Sequence, residues 1–186
     1  MNLLAIDPSL RNTGVVAARY VFDSTVEPFD LHLITTEPDR SKQVRRNSDD
    51  LRCAFEMRQQ LEDLISLYDP LVVFVEVPSG TQSARAGWTL GITVGVLSGL
   101  LGRSFQIIEV SAQPVKKFFT GKRNASKREM IETAHRAYPD LPWRRHGGRL
   151  TNDNEHLADA VAILGYGATL PVTRSYLDLV RLRGAS

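Results

Sequence analysis

Three segments of this chain place carboxylates in apolar surroundings, where an ionised group is costly to bury. Asp7 ends the segment LLAID, and Glu76 lies inside the β-branched run VVFVEV. Glu155 and Asp159 share the apolar segment NEHLADAVAI. Because a buried carboxylate needs a positive partner, we predict that these four groups bind a divalent metal.

Oxygen ligands of this kind are typical of two-metal phosphodiester hydrolysis, in which one ion activates a water and the other stabilises the leaving oxygen. Mg²⁺, or Mn²⁺ in its place, suits such a site because it takes few protein carboxylates and completes its octahedron with water and phosphate. Glu155 and His156 precede Asp159 by four and three residues, so one helix face would present all of them. Docked on the strands of Asp7 and Glu76, that helix would complete a site for two ions.

Each of these positions also has an ordinary structural explanation. Asp7 could cap the turn that follows it, and Glu76 could pair with an internal arginine. Asn152 and Glu155 have the spacing of a capping box, and His156 could be a core side chain or could orient a ligand. The conjunction of all of them favours the metal site.

Positive charge is concentrated in one segment. Residues 111–149 contain ten Lys and Arg residues against three acidic residues, a net charge of +7 in a chain whose total is +2. Its candidate contacts to a polyanion are Lys116, Lys117, Lys122, Arg123, Lys127, Arg128, Arg144 and Arg145. A basic segment beside an acidic metal site is the charge pattern expected of a protein that holds a polyanion against that site.

Length and composition predict one domain spanning residues 1–186. The hydrophobic content of 42% and the charged content of 24% are typical of a globular protein. Cys53 is the single cysteine, which excludes an intrachain disulfide. No secretory signal is visible, and the apolar run 88–101 is too short to span a bilayer. We therefore expect a cytoplasmic protein.

Hydrophobic periodicity and turn residues predict an α/β fold. Strands are expected near 2–7, 13–20, 30–36, 71–77 and 105–110. Helices are expected from Ser48, as the N-cap, to about Tyr68, and near 82–102, 114–119, 127–137 and 153–169. We predict a five-stranded mixed sheet, with its first three strands antiparallel, flanked by helices.

The helix near 82–102 carries a glycine every four residues. These glycines are Gly87, Gly91, Gly95 and Gly99. They share one helix face and let another backbone approach closely. Tight packing on the chain's own sheet or on a neighbouring helix would explain them, and so would a two-fold contact with a second copy of the chain.

Four ordered segments resemble the successive motifs of the RuvC family of Holliday-junction resolvases. They are LLAIDPSLRNTGVV, VVFVEVPSG, VSAQPVKKFFTGKRNASKREMI and EHLADAVAI, and together they run from residue 3 to about residue 166. The resemblance implies a ribonuclease H-like fold and a single nuclease domain that depends on Mg²⁺ or Mn²⁺. It also implies a homodimer that nicks two strands of a four-way DNA junction symmetrically, in a bacterial or phage-infected cell.

The resemblance assigns roles to the acidic residues. Asp7, Glu76 and Asp159 match metal-binding catalytic carboxylates of the family. A fourth acidic position, three residues before the last Asp, is His156 in this chain. Glu155, at the adjacent position, could supply the missing charge, so the resemblance leaves open which of these two residues completes the site.

Two lysines also match the family. Lys116 and Lys127 align with lysines that family members place near the scissile phosphate and the junction backbone. Ser126 and Glu129 have capping-box spacing, which puts Lys127 and Arg128 in the first turn of a helix, where the helix dipole disfavours cations. A phosphate bound at that helix terminus would offset the unfavourable interaction between these cations and the helix dipole.

One departure from the family bears on specificity. Ser79 stands where typical bacterial members carry an aromatic residue proposed to wedge into the junction; Trp88, Phe118 or Phe119 could substitute for it. Two alternatives to a strict junction resolvase therefore remain. One is a broader branched-DNA nuclease of phage type that cuts forks and flaps, and the other is a junction-binding protein without catalysis.

Overall fold

Apolar and β-branched segments build a five-stranded mixed sheet at the centre of the molecule. The computed structural model describes residues 1–21, 25–41, 43–77, 80, 83–100 and 104–184. The strands of the sheet are β1 (Asn2–Asp7), β2 (Asn12–Tyr20), β3 (Val26–Thr35), β4 (Val72–Glu76) and β5 (Gln106–Val110). In space their order is β3-β2-β1-β4-β5.

Helices and one small hairpin account for the other elements of the described residues. The helices are α1 (Arg46–Tyr68), α2 (Ala84–Ser98), α3 (Ala112–Thr120), α4 (Lys127–Ala137), α5 (Asn154–Thr169) and α6 (Pro171–Gly184). Between α4 and α5 lies a two-stranded hairpin of β6 (Arg145–His146) and β7 (Arg149–Leu150). No helix of the described residues combines the length and the apolar character that a bilayer crossing requires.

The pairing of the strands confirms the predicted mixed sheet. β1, β2 and β3 form an antiparallel meander, with a register shift at Ala17/Ala18, while β4 pairs parallel to β1 and β5 pairs parallel to β4. Ile6 pairs with Val75 across β1 and β4. The next residues, Asp7 and Glu76, therefore end neighbouring strands at the same edge of the sheet.

Alternation along the strands divides the interior into two cores. Leu3 of β1 and Phe74 of β4 face α5 in the larger core. Their sequence neighbours face α1 and α2 in the second core. Because side chains alternate along a strand, Asp7 and Glu76 point to the α5 side, as Leu3 and Phe74 do.

The predicted start of α1 is wrong. The helix begins at Arg46, after Arg45 as the N-cap, and no side chain caps it. Ser48 therefore lies inside the first turn. Asp49, in that turn, and Asp50, directly after it, are buried and bind arginine side chains. These ion pairs hold the first turn in place, and a serine cap is not needed.

Other boundaries shift by a few residues. α2 is shorter than the predicted 82–102, and residues 81–82 and 101–103 lie outside the described residues. Residues 145–150, for which the sequence predicted neither strand nor helix, form the β6–β7 hairpin. Gly147 and Gly148 occupy its turn with φ of 55° and 78°, the pair of positive angles that a two-residue hairpin with Gly-Gly favours.

Two glycines let α5 lie directly on the sheet. A Cβ added to Gly14 of β2 would lie 2.0 Å from the carbonyl oxygen of His156. A Cβ added to Gly167 of α5 would lie 2.3 Å from the Phe74 ring. Backbone contact at one end of the helix and ring contact at the other therefore fix its distance from β1, β2 and β4.

We expect Gly14→Ala to lower the free energy of unfolding by about 2–3 kcal/mol, because the new methyl group must push a helix backbone away. Chemical denaturation measures this change. Gly165→Ala on α5 is the matched control, since its Cβ would meet only the Phe118 ring at an ordinary 3.6 Å; that variant should be neutral or more stable. A Gly14→Ala protein as stable as the wild type would contradict the close docking.

Candidate active site

Three carboxylates at the edge of the sheet beneath α5 lie close enough for their charges to interact. Asp7 and Glu76 come from the ends of β1 and β4, and Asp159 comes from the helix above them. The Oδ1 atom of Asp159 is buried and has no hydrogen-bond partner among the described residues. A buried carboxylate oxygen without a donor is unfavourable in the protein alone, so this atom marks a place for an external partner.

The electrostatics of the site show an excess of negative charge. Burial, followed by the charges of Asp7 and Asp159, raises the pKa of Glu76 to about 7. Burial, followed by the charge of Asp7, likewise raises the pKa of Asp159 to about 7. Lys116 on α3 lies near enough to oppose both shifts. His156 also opposes the shift of Asp159. One lysine and one histidine do not compensate three carboxylates, and an added cation would be favoured there.

His156 is held against Asp7. Its Nδ1–H donates to Oδ2 of Asp7 at 2.8 Å. This hydrogen bond raises the pKa of His156 above its usual value, against the effect of burial. Nε2 of His156 lies 3.4 Å from Oε1 of Glu155. The imidazole therefore bridges the strand carboxylate and the first turn of α5.

Glu155 is bound by a lysine from another helix. Nζ of Lys127 lies 2.9 Å from Oε1 and 2.8 Å from Oε2 of Glu155. The alternative that Glu155 forms a capping box with Asn152 is wrong, since α5 begins after Asp153 and no side chain caps it. The negative charge of Glu155 still contributes to the raised pKa of Asp159.

The residues fit a divalent metal by donor type. Asp7, Glu76 and Asp159 offer carboxylate oxygens, the ligands that Mg²⁺ and Mn²⁺ prefer. The unpartnered Oδ1 of Asp159 and the raised pKa values agree with a missing positive charge. As they stand, no three His, Cys, Asp or Glu side chains of the described residues converge into a metal-binding cluster. Asp7 instead turns one oxygen towards His156.

The predicted capping box of α4 is confirmed. Ser126 accepts from the backbone N–H of Glu129, and the Glu129 side chain accepts from the backbone N–H of Ser126. Lys127 and Arg128 therefore lie in the first turn of α4, as the sequence predicted. Lys127 pairs with Glu155, whereas Arg128 pairs with Glu132 on its own helix at 2.7 Å.

The other basic candidates lie on the same side of the sheet, in different surroundings. Lys117 and Arg123 are exposed, and Lys122 pairs with Glu129. Arg145 donates to the carbonyl oxygen of Gly148 at 3.1 Å and to His135 at 2.7 Å. Arg144 lies 3.8 Å from Asp153. These residues form a broad basic surface rather than one compact patch.

Sequence reasoning missed a buried ionic cluster centred on Asp50. This carboxylate is fully buried, and it accepts from Arg11 at 3.0 Å, from Arg85 at 2.7 Å and from the Trp88 indole at 3.1 Å. It thereby joins α1 to the turn after β1 and to the start of α2. The sequence feature that could have indicated this cluster is the pair of adjacent aspartates at the start of an amphipathic helix.

The aromatic candidates differ in exposure. Trp88 is 42% exposed while its indole nitrogen is held by Asp50. Phe118 is 50% exposed beside Tyr166, and Phe119 packs against the larger core. Ser79 lies outside the described residues. Trp88 and Phe118 are therefore the two candidates that present a ring to solvent.

The same fold, a mixed five-stranded sheet flanked by helices, is found in solved structures of RuvC and other Holliday-junction resolvases. The chain is similar in structure to Thermus thermophilus RuvC in complex with a Holliday junction substrate. The TM-score is 0.65 and the identity 17%, over 90% of this chain and 94% of that chain.

Two further solved structures share the fold. The yeast mitochondrial Holliday junction resolvase has a TM-score of 0.58 and 15% identity, over 96% of this chain and 81% of that chain. The fowlpox virus Holliday junction resolvase has a TM-score of 0.53 and 13% identity, over 91% of this chain and 100% of that chain. No family model and no curated protein sequence matches the chain. The likeness is one of fold, and it confirms the predicted fold class.

We expect the metal-free protein to lose stability as the pH rises. The folded-state pKa values of Asp159 and Glu76, about 7, lie above the ordinary values of 3.8 and 4.5. The native state therefore binds protons more tightly than the unfolded state, and the free energy of unfolding falls across that interval. Denaturation in chelator at a series of pH values measures the slope.

The matching variant is Asp159→Asn, which removes one of the repelling charges. Its free energy of unfolding above about pH 7 should exceed that of the wild type by about 1–2 kcal/mol. Mg²⁺ should then stabilise the wild type more than the variant. Asp63→Asn, at an exposed position of α1, should leave both properties unchanged. A variant less stable than the wild type in chelator would contradict the charge repulsion.

Proposed function

We propose that this protein is a metal-dependent, structure-selective DNA endonuclease that resolves four-way junctions by paired symmetric nicks as a homodimer. The observation that carries the proposal is the group of three mutually repelling carboxylates, Asp7, Glu76 and Asp159, under one helix. A protein that only bound DNA would gain nothing from acids that face phosphates. Residues 1–186 would form the single nuclease domain.

The fold supports the choice of substrate class. One similar structure is described as RuvC in complex with a Holliday junction substrate, and two others are described as Holliday junction resolvases. The basic surface contributed by α3, α4 and the β6–β7 hairpin lies beside the carboxylates, so a DNA backbone bound there would pass the acidic site. Phosphate contacts of this kind position DNA without reading its sequence.

Asp7, Glu76 and Asp159, with Glu155 as a further acidic group, would hold two Mg²⁺ or Mn²⁺ ions. Bound there, such ions activate a water and stabilise charge at the leaving oxygen. His156, fixed by its hydrogen bond to Asp7, would bind one of these ions or orient a carboxylate that binds it.

Lys116 and Lys127 would act on the substrate. Lys116 already exerts its charge on Glu76 and Asp159, so it lies where a scissile phosphate would meet those acids. It would stabilise negative charge that develops on that phosphate. Lys127 would bind the neighbouring backbone from the first turn of α4, with further phosphates held by the other basic residues. Those residues are Lys117, Lys122, Arg123, Arg128, Arg144 and Arg145.

The glycine face of α2 supports the homodimer. A Cβ added to Gly91 or Gly95 would meet no atom of the described residues within 4 Å, and both glycines are exposed. The alternative that these two glycines serve tight packing within the chain is therefore wrong. Val94 on the same helix is 40% exposed. A second α2 would cover this face, and two copies would supply the two active sites that symmetric nicking requires.

The first test is cleavage of a labelled four-way junction, a flap and a linear duplex, with Mg²⁺ or with chelator. We expect paired nicks on the junction, lost in chelator and reduced at least about 100-fold by Asp7→Asn. Asp63→Asn should cut like the wild type. Cutting of all branched substrates would favour the broader branched-DNA nuclease. Tight junction binding without metal-dependent cleavage would contradict the nuclease and favour a junction-binding protein without catalysis.

A second test concerns the dimer. Gly91→Leu should leave the fold intact, because nothing lies near its Cβ, and should block close approach of two α2 helices. Light scattering should show a shift from dimer to monomer, and coupled nicks should become single nicks. Ala137→Leu, an exposed position on α4, is the control. A Gly91→Leu protein that remains dimeric would place the interface elsewhere.

A further inference from the structure

A wide groove runs between α4 and the β6–β7 hairpin. Its volume is about 970 Å³, and residues from both elements line it, including Lys127, Arg128, Arg149, Thr151 and Asn152. The hairpin follows α4 and leads directly into α5, which carries Glu155 at one end of the groove. The groove therefore opens beside the candidate active site.

Arg149 is the unopposed cation of this groove. Lys127 faces Glu155 and Arg128 faces Glu132, so the two acids that line the groove each have a partner. Arg149 is exposed and makes no ion pair or side-chain hydrogen bond with the described residues. The groove thus carries a net charge of +1, concentrated on one free guanidinium.

Thr151 adds an unsatisfied hydroxyl to the same wall. Its Oγ1 atom is buried and has no hydrogen-bond partner among the described residues. Arg149 and Thr151 both line the groove. A buried hydroxyl without a partner is costly, and rotation about the Cα–Cβ bond of Thr151 would let the hydroxyl bond a ligand oxygen in the groove.

The wall that carries Arg149 is held rigidly. Asn154 is fully buried; it accepts from the backbone N–H of Arg144 at 2.9 Å and donates to the Arg144 carbonyl oxygen at 2.8 Å. Arg145 ties the two strands together through the Gly148 carbonyl oxygen. Rigid presentation lowers the entropy lost when a ligand binds.

A chain of side-chain contacts connects the groove to the candidate catalytic residues. Lys127 at its edge binds Glu155, Glu155 lies next to His156, and His156 donates to Asp7. An anion that occupied the groove while its neighbour lay at Asp7 would need to be part of an extended chain of phosphates. The sugar–phosphate backbone of DNA meets this requirement.

We propose that the groove between α4 and the hairpin is a subsite for the backbone phosphates that flank the cleavage point, with Arg149 and Thr151 as its ligands. This inference rests on the proposed function and adds a specific contact to it. Arg149 supplies a bidentate donor pair to one phosphate, and the Thr151 hydroxyl donates to a second oxygen. The contact is independent of sequence and adds affinity for DNA next to the cut.

Equilibrium binding of a labelled junction in chelator, between about 50 and 200 mM salt, tests the role of Arg149. Arg149→Gln should lower the slope of log K against log salt by about one and weaken binding severalfold at low salt. Arg174→Gln, which removes an exposed arginine on α6, should keep the wild-type slope. Equal slopes for Arg149→Gln and the wild type would overturn the subsite.

Thr151→Val separates binding from stability. Because valine replaces an unsatisfied hydroxyl with a methyl group of similar size, the free energy of unfolding should stay the same or rise. Junction affinity should nevertheless fall severalfold. A variant that loses stability and keeps its affinity would show that the hydroxyl serves the fold, and would remove Thr151 from the subsite.

Failure of the subsite and failure of the nuclease give different results. If the wild type cuts junctions and both variants bind them as tightly as the wild type does, the groove is not a phosphate subsite. The proposal of an endonuclease then still stands. Wild-type protein that cuts no branched DNA would overturn the endonuclease. In that case the salt slopes measured on linear duplex still decide whether Arg149 binds a backbone phosphate.

Discussion

The separation between α5 and the central sheet is the constraint on which the site depends. Gly14 lets the helix backbone touch β2, and Gly167 lets the same helix rest on the Phe74 ring. Neither contact involves a charged group. The geometry of the site is therefore set by van der Waals contact between backbones and an aromatic ring, and the polar residues take the positions that this packing allows.

Packing must hold the acids together because electrostatics drives them apart. Burial and the charges of neighbouring carboxylates raise the pKa values of Glu76 and Asp159, and Lys116 offsets only part of this. The apolar residues around them on α5 are almost completely buried. Burial of that surface supplies the free energy that keeps like charges in one place. This cluster of like charges thus lowers the stability of the protein, as groups placed for function commonly do.

Local patterns in the sequence predicted the features that local interactions determine. The meander, the two parallel strands and the capping box at Ser126 all follow from residues close together in the chain. The errors arose where a distant residue competes with a local one. Ser48 does not cap α1 because Asp50 binds arginines from other elements. Glu155 does not cap α5 because Lys127 binds it across 28 positions of sequence. Such partners become visible only when the fold brings them together.

The buried carboxylate of Asp50 has a mechanical consequence. It fastens Arg11, four residues beyond Asp7, and it also fastens Arg85 and Trp88 in the first turns of α2. The strand-end turn and the helix with the exposed glycine face are therefore pinned to one point. Any displacement of α2 that kept these hydrogen bonds would also move Asp50 and, through Arg11, the turn that follows Asp7.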